Sequence, residues 1–524
     1  MDNIKIKRQS NFLHRYLEKI DPTDSKQLTN IVYVYVAGFF LLWFSIGIFT
    51  QNAPHWDNVE ALVWSEHLQW GYFKHPPFAT WIVHFFVSVF GRSFWVTYLA
   101  AQLSVALMLL VVWRISLLVT TPGRALIAVI LTSLIIYHNV WGIVANHNTF
   151  QLLPVALLLW GTLLAVRDPR WWRWGLVGLV AAVCLLTKYS AAIWFAVLGI
   201  WMVLDSRMHR IKPWLGVLLA VLIGLLAVAP HIEWLMREGY QTLKYLENQT
   251  QQKANYFSLA GRFLLSQLGR TLPVFIALIA LYLSCRKHVV RSQICSPGAE
   301  LLPREWRFIY LMTVGPLLLA LVAGMFMMNL RANWGTTFFI LAGLCATRWL
   351  PALHEKLLIQ TVIKIGVAIN LTLAAWMAVS NSYLVDALGR TSRVNFPVNQ
   401  YVSQIDKIWF DSMGAEQPLR IIAGETWLAG IVSVKSTYHP SAFLYGRKIQ
   451  APWISEQMIR DCGVLLIVDR RGTKNRPPPP AVLEMMKSAA HAGKIDIPWS
   501  RRSTGPQLSL DWGIIEPVAK GLCK

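Results

Sequence analysis

The stretch "GYFKHPPFATW" runs from Gly71 to Trp81, between two apolar regions of a 524-residue chain. Two adjacent prolines interrupt helix there, and the residue before them is pushed toward extended geometry. Lys74 and His75 stand immediately ahead of the prolines. A cation and a titratable ring on a stiff loop are out of keeping with a chain that is 55% hydrophobic and 15% charged. A soluble protein carries about a quarter charged residues.

A bilayer-crossing helix needs about 20 apolar residues. Runs near 31–50, 94–118, 124–137, 149–166, 174–187, 189–204, 214–231, 271–284, 308–328, 336–350 and 360–380 predict an α-helical polytopic membrane protein with about eleven spans. The 25 Trp residues suit a protein with long membrane–water interfaces. The net charge of +22 then has a topological reading. Basic segments fall in the tail 1–30 and at 167–173, 205–212 and 285–307. With the N-terminus inside, each lands on the cytoplasmic side, as the positive-inside rule requires. Nucleic-acid binding is therefore unsupported. The expected organisation is a cytoplasmic basic tail (1–30), a transmembrane domain (31–380) with outward loops at 51–93 and 232–270, and an outward domain (381–524).

That last segment changes character. "LRIIAGETWLAGIVSVK" reads as strand, turn and helix, "CGVLLIVDRRG" as a strand, and "WGIIEP" as a third strand, giving a small α/β domain. Of six cysteines, Cys462 and Cys523 lie in it. In an oxidising compartment they can form a disulfide; two thiols are the alternative. Cys285 and Cys295 fall in a cytoplasmic loop, and no Cys/His metal spacing occurs.

The first outward loop reads "HWDNVEALVWSEHLQWGYFKHPPFATW", His55 to Trp81. Asp57 and Glu60 share a face of a helix starting at Asp57. As structural residues they would be an N-cap and its capping-box partner. The helix, with Ala61, Leu62, Trp64, Leu68 and Trp70 apolar, is patterned to lie on a membrane surface, with Glu66 and His67 on its solvated face. Capping does not account for Lys74 and His75.

The loop resembles the first outer loop of the family 39 type membrane glycosyltransferases, the dolichyl- or polyprenyl-phosphate-sugar dependent GT-C class, which show an acidic pair, an aromatic helix and a "GY-x-x-HPP" turn. "NHNT" at 146–149 is similar to the family's second outer loop. "LLTKYSAAIW" at 185–194 is similar to its S/T-K-Y element, and "LRANWGTTFF" at 330–339 to its late Arg-Trp loop. The resemblance implies an inverting transferase that moves a sugar from a polyprenyl-phosphate donor to a glycolipid or glycan of the cell envelope, on the outer face of a bacterial inner membrane.

Such a transfer needs a base for the acceptor hydroxyl and cations for the leaving lipid phosphate. Asp57 is the expected base, with Glu60 orienting it or the sugar. Lys74, His75, Lys188 and Arg331 are the expected phosphate cradle. Tyr72, Asn146, His147 and Tyr189 are weaker substrate contacts, His147 leaning to a surface residue. The related lipid A aminoarabinose transferases carry an acid in the second loop and bind a metal. This sequence has "NHN" there, which puts a metal role in doubt; no cofactor is expected. A transporter or flippase of lipid-linked sugars is the alternative. It would favour ionisable residues in mid-membrane and paired repeats. An outward binding protein with a membrane anchor would need far fewer helices.

Overall fold

The computed structural model describes residues 18–250, 256–289, 303–326, 329–350, 355–471, 477–499, 506–519 and 523. Cys295 and most of the tail 1–30 lie outside the described residues, and the side chain of Cys285 is likewise not described. The chain divides into two contact units.

The first unit comprises Met1–Trp43, Gln102–Gly142 and His147–Ala374. Among the described residues of the whole chain, seven helices are long and apolar enough to cross a membrane: Ser25–Phe49, Phe94–Leu117, His147–Arg167, Ile211–Arg237, Tyr256–Ser284, Arg304–Phe326 and Glu355–Ala387. Four shorter apolar helices accompany them, at Phe78–Phe90, Pro122–Ser133, Trp171–Thr187 and Ala191–Leu204.

The set departs from expectation in two places. The run 336–350 is not one span: a 3-10 turn at Ala332–Gly335 leads through turns to a short helix, Ala342–Thr347. β-Branched Thr336, Thr337 and Ile340 weaken helix there. Gly343 packs so closely on the Pro122–Ser133 helix that a Cβ would lie 2.3 Å from the Ala128 carbonyl oxygen. Conversely, the expected loop 51–93 contains the apolar helix Phe78–Phe90, which starts directly after Pro77. Prolines stop a helix behind them but suit the first turn of the next.

Small residues set helix spacing in this unit. A Cβ on Gly178 would meet the Ala220 carbonyl oxygen at 2.4 Å, so the helices Trp171–Thr187 and Ile211–Arg237 approach backbone to backbone. One cluster of charges within the unit is paired. Buried Glu305 accepts from Arg167 (3.0 Å) and Arg207 (2.9 Å), and Arg207 also holds Asp205 at 2.7 Å.

The second unit comprises Phe44–Ala101, Ile143–Asn146 and Ala375–Lys524. Its sheet has the order β2-β1-β3-β5-β4. β1 is Ile421–Gly424, β2 Ser441–Leu444, β3 Val464–Asp469, β4 His491–Pro498 and β5 Gln507–Ile515. β1 runs parallel to β2 and β3, with Ile422 opposite Leu465; β5 is antiparallel to β3 and β4. All of β1 and most of β3 are buried, the pattern of parallel strands covered on both faces. The three strands read from sequence are β1, β3 and the end of β5. β2 and β4 were missed because β2 is four residues long and β4 is mostly exposed. Cys462 and Cys523 are joined by a disulfide closing 61 residues.

Candidate functional site

In the second unit the first-loop helix spans Trp56–Trp64. Its N-cap is His55, whose Nδ1 accepts from the Asp57 amide at 3.3 Å. Asp57 is therefore a first-turn residue and not the cap, so the capping-box reading of Asp57 and Glu60 is corrected. A first-turn carboxylate still interacts favourably with the helix dipole.

The helix does not lie on a surface. Asn58, Val59 and Ala61 to Trp64 are buried, and it packs on the helix Thr426–Lys435. There Gly430 leaves room for Val59, whose Cγ1 a Cβ would meet at 2.4 Å. Trp56 stacks on Trp427 (centroids 5.9 Å), whose indole donates to the Pro54 carbonyl at 3.0 Å. Of the two residues expected on the solvated face of the helix, Glu66 is exposed, with 25% of its side chain accessible, and His67 is half-buried. Glu66 pairs with Arg92, which donates to the Ser433 carbonyl (2.9 Å), and His67 stacks on Trp453.

Asn58 fixes the register of the second loop. Its amide donates to Thr97 Oγ1 (2.8 Å) and its oxygen accepts from the Ala145 amide (3.1 Å). That clamp sets the adjacent Asn146, which donates to Asp57 Oδ2 at 2.8 Å.

The two acids then differ in kind. Asp57 keeps 41% of its side chain exposed. Glu60 keeps 12% and is held by Lys74 at 2.5 Å. Burial pushes the Glu60 carboxyl above the ordinary range, and Lys74 offsets this only in part. Lys74 and His75 sit in a turn closed by reciprocal main-chain bonds of Tyr72 and His75 (3.0 and 3.2 Å). Tyr72 is 2% exposed, stacks on Trp64 and donates its hydroxyl to the His67 carbonyl (2.9 Å). Tyr72 thus packs the loop.

The first unit carries a second polar cluster. Lys188 caps the Trp171–Thr187 helix in extended backbone, donates to Asn148, and lies 5.7 Å from the Trp334 ring. Buried Gln151 holds this turn, donating to the Lys188 carbonyl (3.1 Å) and accepting from Ser190 (3.1 Å). The Tyr189 hydroxyl bonds His231 Nε2 at 2.8 Å. His147 is buried, which corrects the surface placement. Arg331 is exposed and bonds Gln249.

One cation here escaped the sequence reading. Arg270 lies between the rings of Tyr137 (4.7 Å) and Trp141 (4.8 Å) and reaches Asn333 at 3.4 Å. A lone Arg in the apolar run "LLSQLGRTLPVF" was the available signal, hidden because the loop was drawn to 270. An apolar cavity of about 510 Å³ is lined by Leu268, Thr271, Phe275, Tyr282, Phe339 and Trp349 among others.

Among the described residues no three His, Cys, Asp or Glu side chains converge as a metal site.

Three likenesses bear on this arrangement. A family model described as dolichyl-phosphate-mannose-protein mannosyltransferase matches residues 74–234. ArnT from Cupriavidus metallidurans, solved bound to undecaprenyl phosphate, superposes with a TM-score of 0.58 over 95% of this chain and 99% of that one, at 12% identity. Its apo form gives 0.57 at 13% identity.

The chain has the fold of ArnT.

With its long apolar helices, this ArnT-like fold is that of an integral membrane protein, with a small C-terminal sheet. A lipopolysaccharide core galacturonosyltransferase, RgtA of Rhizobium johnstonii, is 27% identical to this chain over 203 residues. That match covers 38% of this chain and 40% of RgtA, well under half of the relative.

Proposed function

We propose that this protein is an inverting glycosyltransferase. It moves a sugar from a polyprenyl-phosphate donor to a glycolipid or glycan of the cell envelope, on the outer face of a bacterial inner membrane, with its N-terminus cytoplasmic and its C-terminus periplasmic. The observation that carries the reading is the division of labour between Asp57 and Glu60. Asp57 is accessible, accepts from Asn146 and lies 3.8 Å from His55 Nδ1. Glu60 is buried and salt-bridged. The accessible carboxylate suits a base; the paired one suits orientation.

In the proposed reaction the acceptor hydroxyl oxygen bonds to the anomeric carbon as the bond from that carbon to the phosphate oxygen breaks. The proton goes to Asp57, and the electron pair leaves on the lipid phosphate. That charge is assigned to Lys188, Arg331 and Arg270. The Lys74 cation is engaged by Glu60, so Lys74 is assigned to holding that acid, and His75 to the same rigid turn. Two likenesses support these classes: ArnT was solved bound to undecaprenyl phosphate, and RgtA is a lipopolysaccharide core galacturonosyltransferase. The apolar cavity lined by Leu268, Thr271 and Phe275 suits an isoprenoid chain.

The test supplies purified protein with a panel of undecaprenyl-phosphate sugars and extracted lipopolysaccharide, and follows release of undecaprenyl phosphate. Release that requires the acceptor supports the reading. Movement of lipid-linked sugar across vesicles without release would favour the flippase instead.

A further inference from the structure

Two residues of the C-terminal domain break local rules at one place. Tyr445 follows β2 with φ of 55°, in the left-handed region, ahead of Gly446 at 65°. Gly, Asn or Asp would take that conformation at less cost than an aromatic residue. Glu425 follows β1 and is the N-cap of Thr426–Lys435. Ser, Thr, Asp and Asn are the preferred caps. The two meet: the Tyr445 hydroxyl donates to Glu425 Oε1 at 3.4 Å, while Glu425 Oε2 accepts from the Trp427 amide at 3.3 Å. The Tyr445 amide donates to the Gly424 carbonyl at 2.7 Å, tying the turn to β1.

Their placement relates to the first-loop helix. The helix that Glu425 caps is the one on which Trp56–Trp64 packs, through Gly430 and Trp427. Both residues stand at the C-terminal ends of neighbouring parallel strands, where open α/β sheets hold ligands. Burial pushes the Tyr445 phenol up to about 12, so it is a neutral donor. Residues that violate local preference together, without a gain in packing, mark function.

We propose that Glu425 and Tyr445 are positioning residues for the transfer reaction, fixing the start of the Thr426–Lys435 helix so that the first-loop helix packed on it aligns Asp57 with the acceptor hydroxyl. The inference rests on the transferase reading above. It makes the outward sheet a part of the reaction centre, where a bare accessory domain would contribute no such group. Two substitutions obey the local rules and remove the contact. Tyr445→Asn relieves the left-handed backbone. Glu425→Asp is a better cap but too short to reach the phenol.

The experiment places each variant, and Asp57→Asn, in the host chromosome beside a deletion strain. Envelope glycolipids are read by mass spectrometry, and the glycoform lost on deletion is the product. In parallel, the purified full-length variants are measured for thermal midpoint and for binding of undecaprenyl phosphate. Both rule-restoring variants are expected to lower the product about tenfold or more. Their midpoints should be equal to or above the parent's and their lipid binding unchanged. Normal product in both overturns the inference. So does product lost together with a lowered midpoint, which makes the residues structural. If Asp57→Asn is inactive while both variants are normal, only this inference fails. If deletion changes no glycolipid, or Asp57→Asn is normal, the transferase reading falls and this inference with it.

Discussion

Asn146 donates its side-chain amide to Asp57 at 2.8 Å, across 89 residues of chain. The bond joins the start of the second loop to the first turn of the first-loop helix, and buried Asn58 sets the spacing through Ala145. Asn146 is a neutral donor. Lys74 is spent on Glu60 instead, three residues along the same helix. Two acids of one sequence pattern thus receive opposite surroundings.

Lys74→Met should expose the cost of burying Glu60. Removing one partner of a buried pair costs about 3 kcal/mol, and replacing both is often neutral. Denaturant unfolding in detergent should show Lys74→Met destabilised and Lys74→Met/Glu60→Gln largely restored. The folded Glu60 carboxyl already titrates above its ordinary value. The single variant's deficit should therefore grow as pH rises and the unpaired acid is forced to ionise.

Glu66 gives a separate pH signature. Burial raises its carboxyl from 4.5 to about 7, with Arg92 opposing the rise. A raised acid contributes full stability below its unfolded pKa and loses it as pH climbs through the folded value. Glu66→Gln mimics the neutral acid. Its stability relative to the parent should be flat near pH 4 and should improve between about pH 5 and 8. A difference that stays constant with pH would contradict the raised Glu66 carboxyl.

Breaking the Cys462–Cys523 bridge should loosen the C-terminal sheet. A closed loop of 61 residues corresponds to about 4 kcal/mol in the chain-entropy view. Cys462→Ser/Cys523→Ser should lower the unfolding midpoint, and reductant should lower the parent's midpoint but not the variant's.

Donor binding probes the other cluster. Lys188→Met and Arg270→Met should each weaken binding of undecaprenyl phosphate by about ten- to a hundredfold, the worth of a charged hydrogen bond. Titration of the purified protein with that lipid is the measurement. Unchanged affinity in both would move the phosphate elsewhere.

Much of this was legible in the sequence because it rested on runs and spacings. Apolar stretches long enough to cross a bilayer announced the helices, and β1 and β3 announced the sheet with runs of buried aliphatics. The acids and the Lys-His-Pro-Pro turn stood out as polar groups in an apolar chain. What was hidden depended on pairing across the sequence. That His55 and not Asp57 caps the helix is a matter of one side-chain rotamer. That Asn146 meets Asp57 depends on the Asn58 clamp, which no local pattern signals. Arg270 was lost to a loop boundary. Phe78–Phe90 was lost because the prolines before it were read as an end of helix and not as a beginning.

The central claim is that Asp57 is the base. Its substitution by Asn is a clean test because the cap belongs to His55 and the amide oxygen of Asn can still accept from Asn146. Loss of the first-turn charge should cost the fold only about 0.3–1 kcal/mol. Transfer from an undecaprenyl-phosphate sugar, measured per folded enzyme, should fall about a hundred- to ten-thousandfold, with lipid binding retained. Turnover within a few fold of the parent would contradict the account.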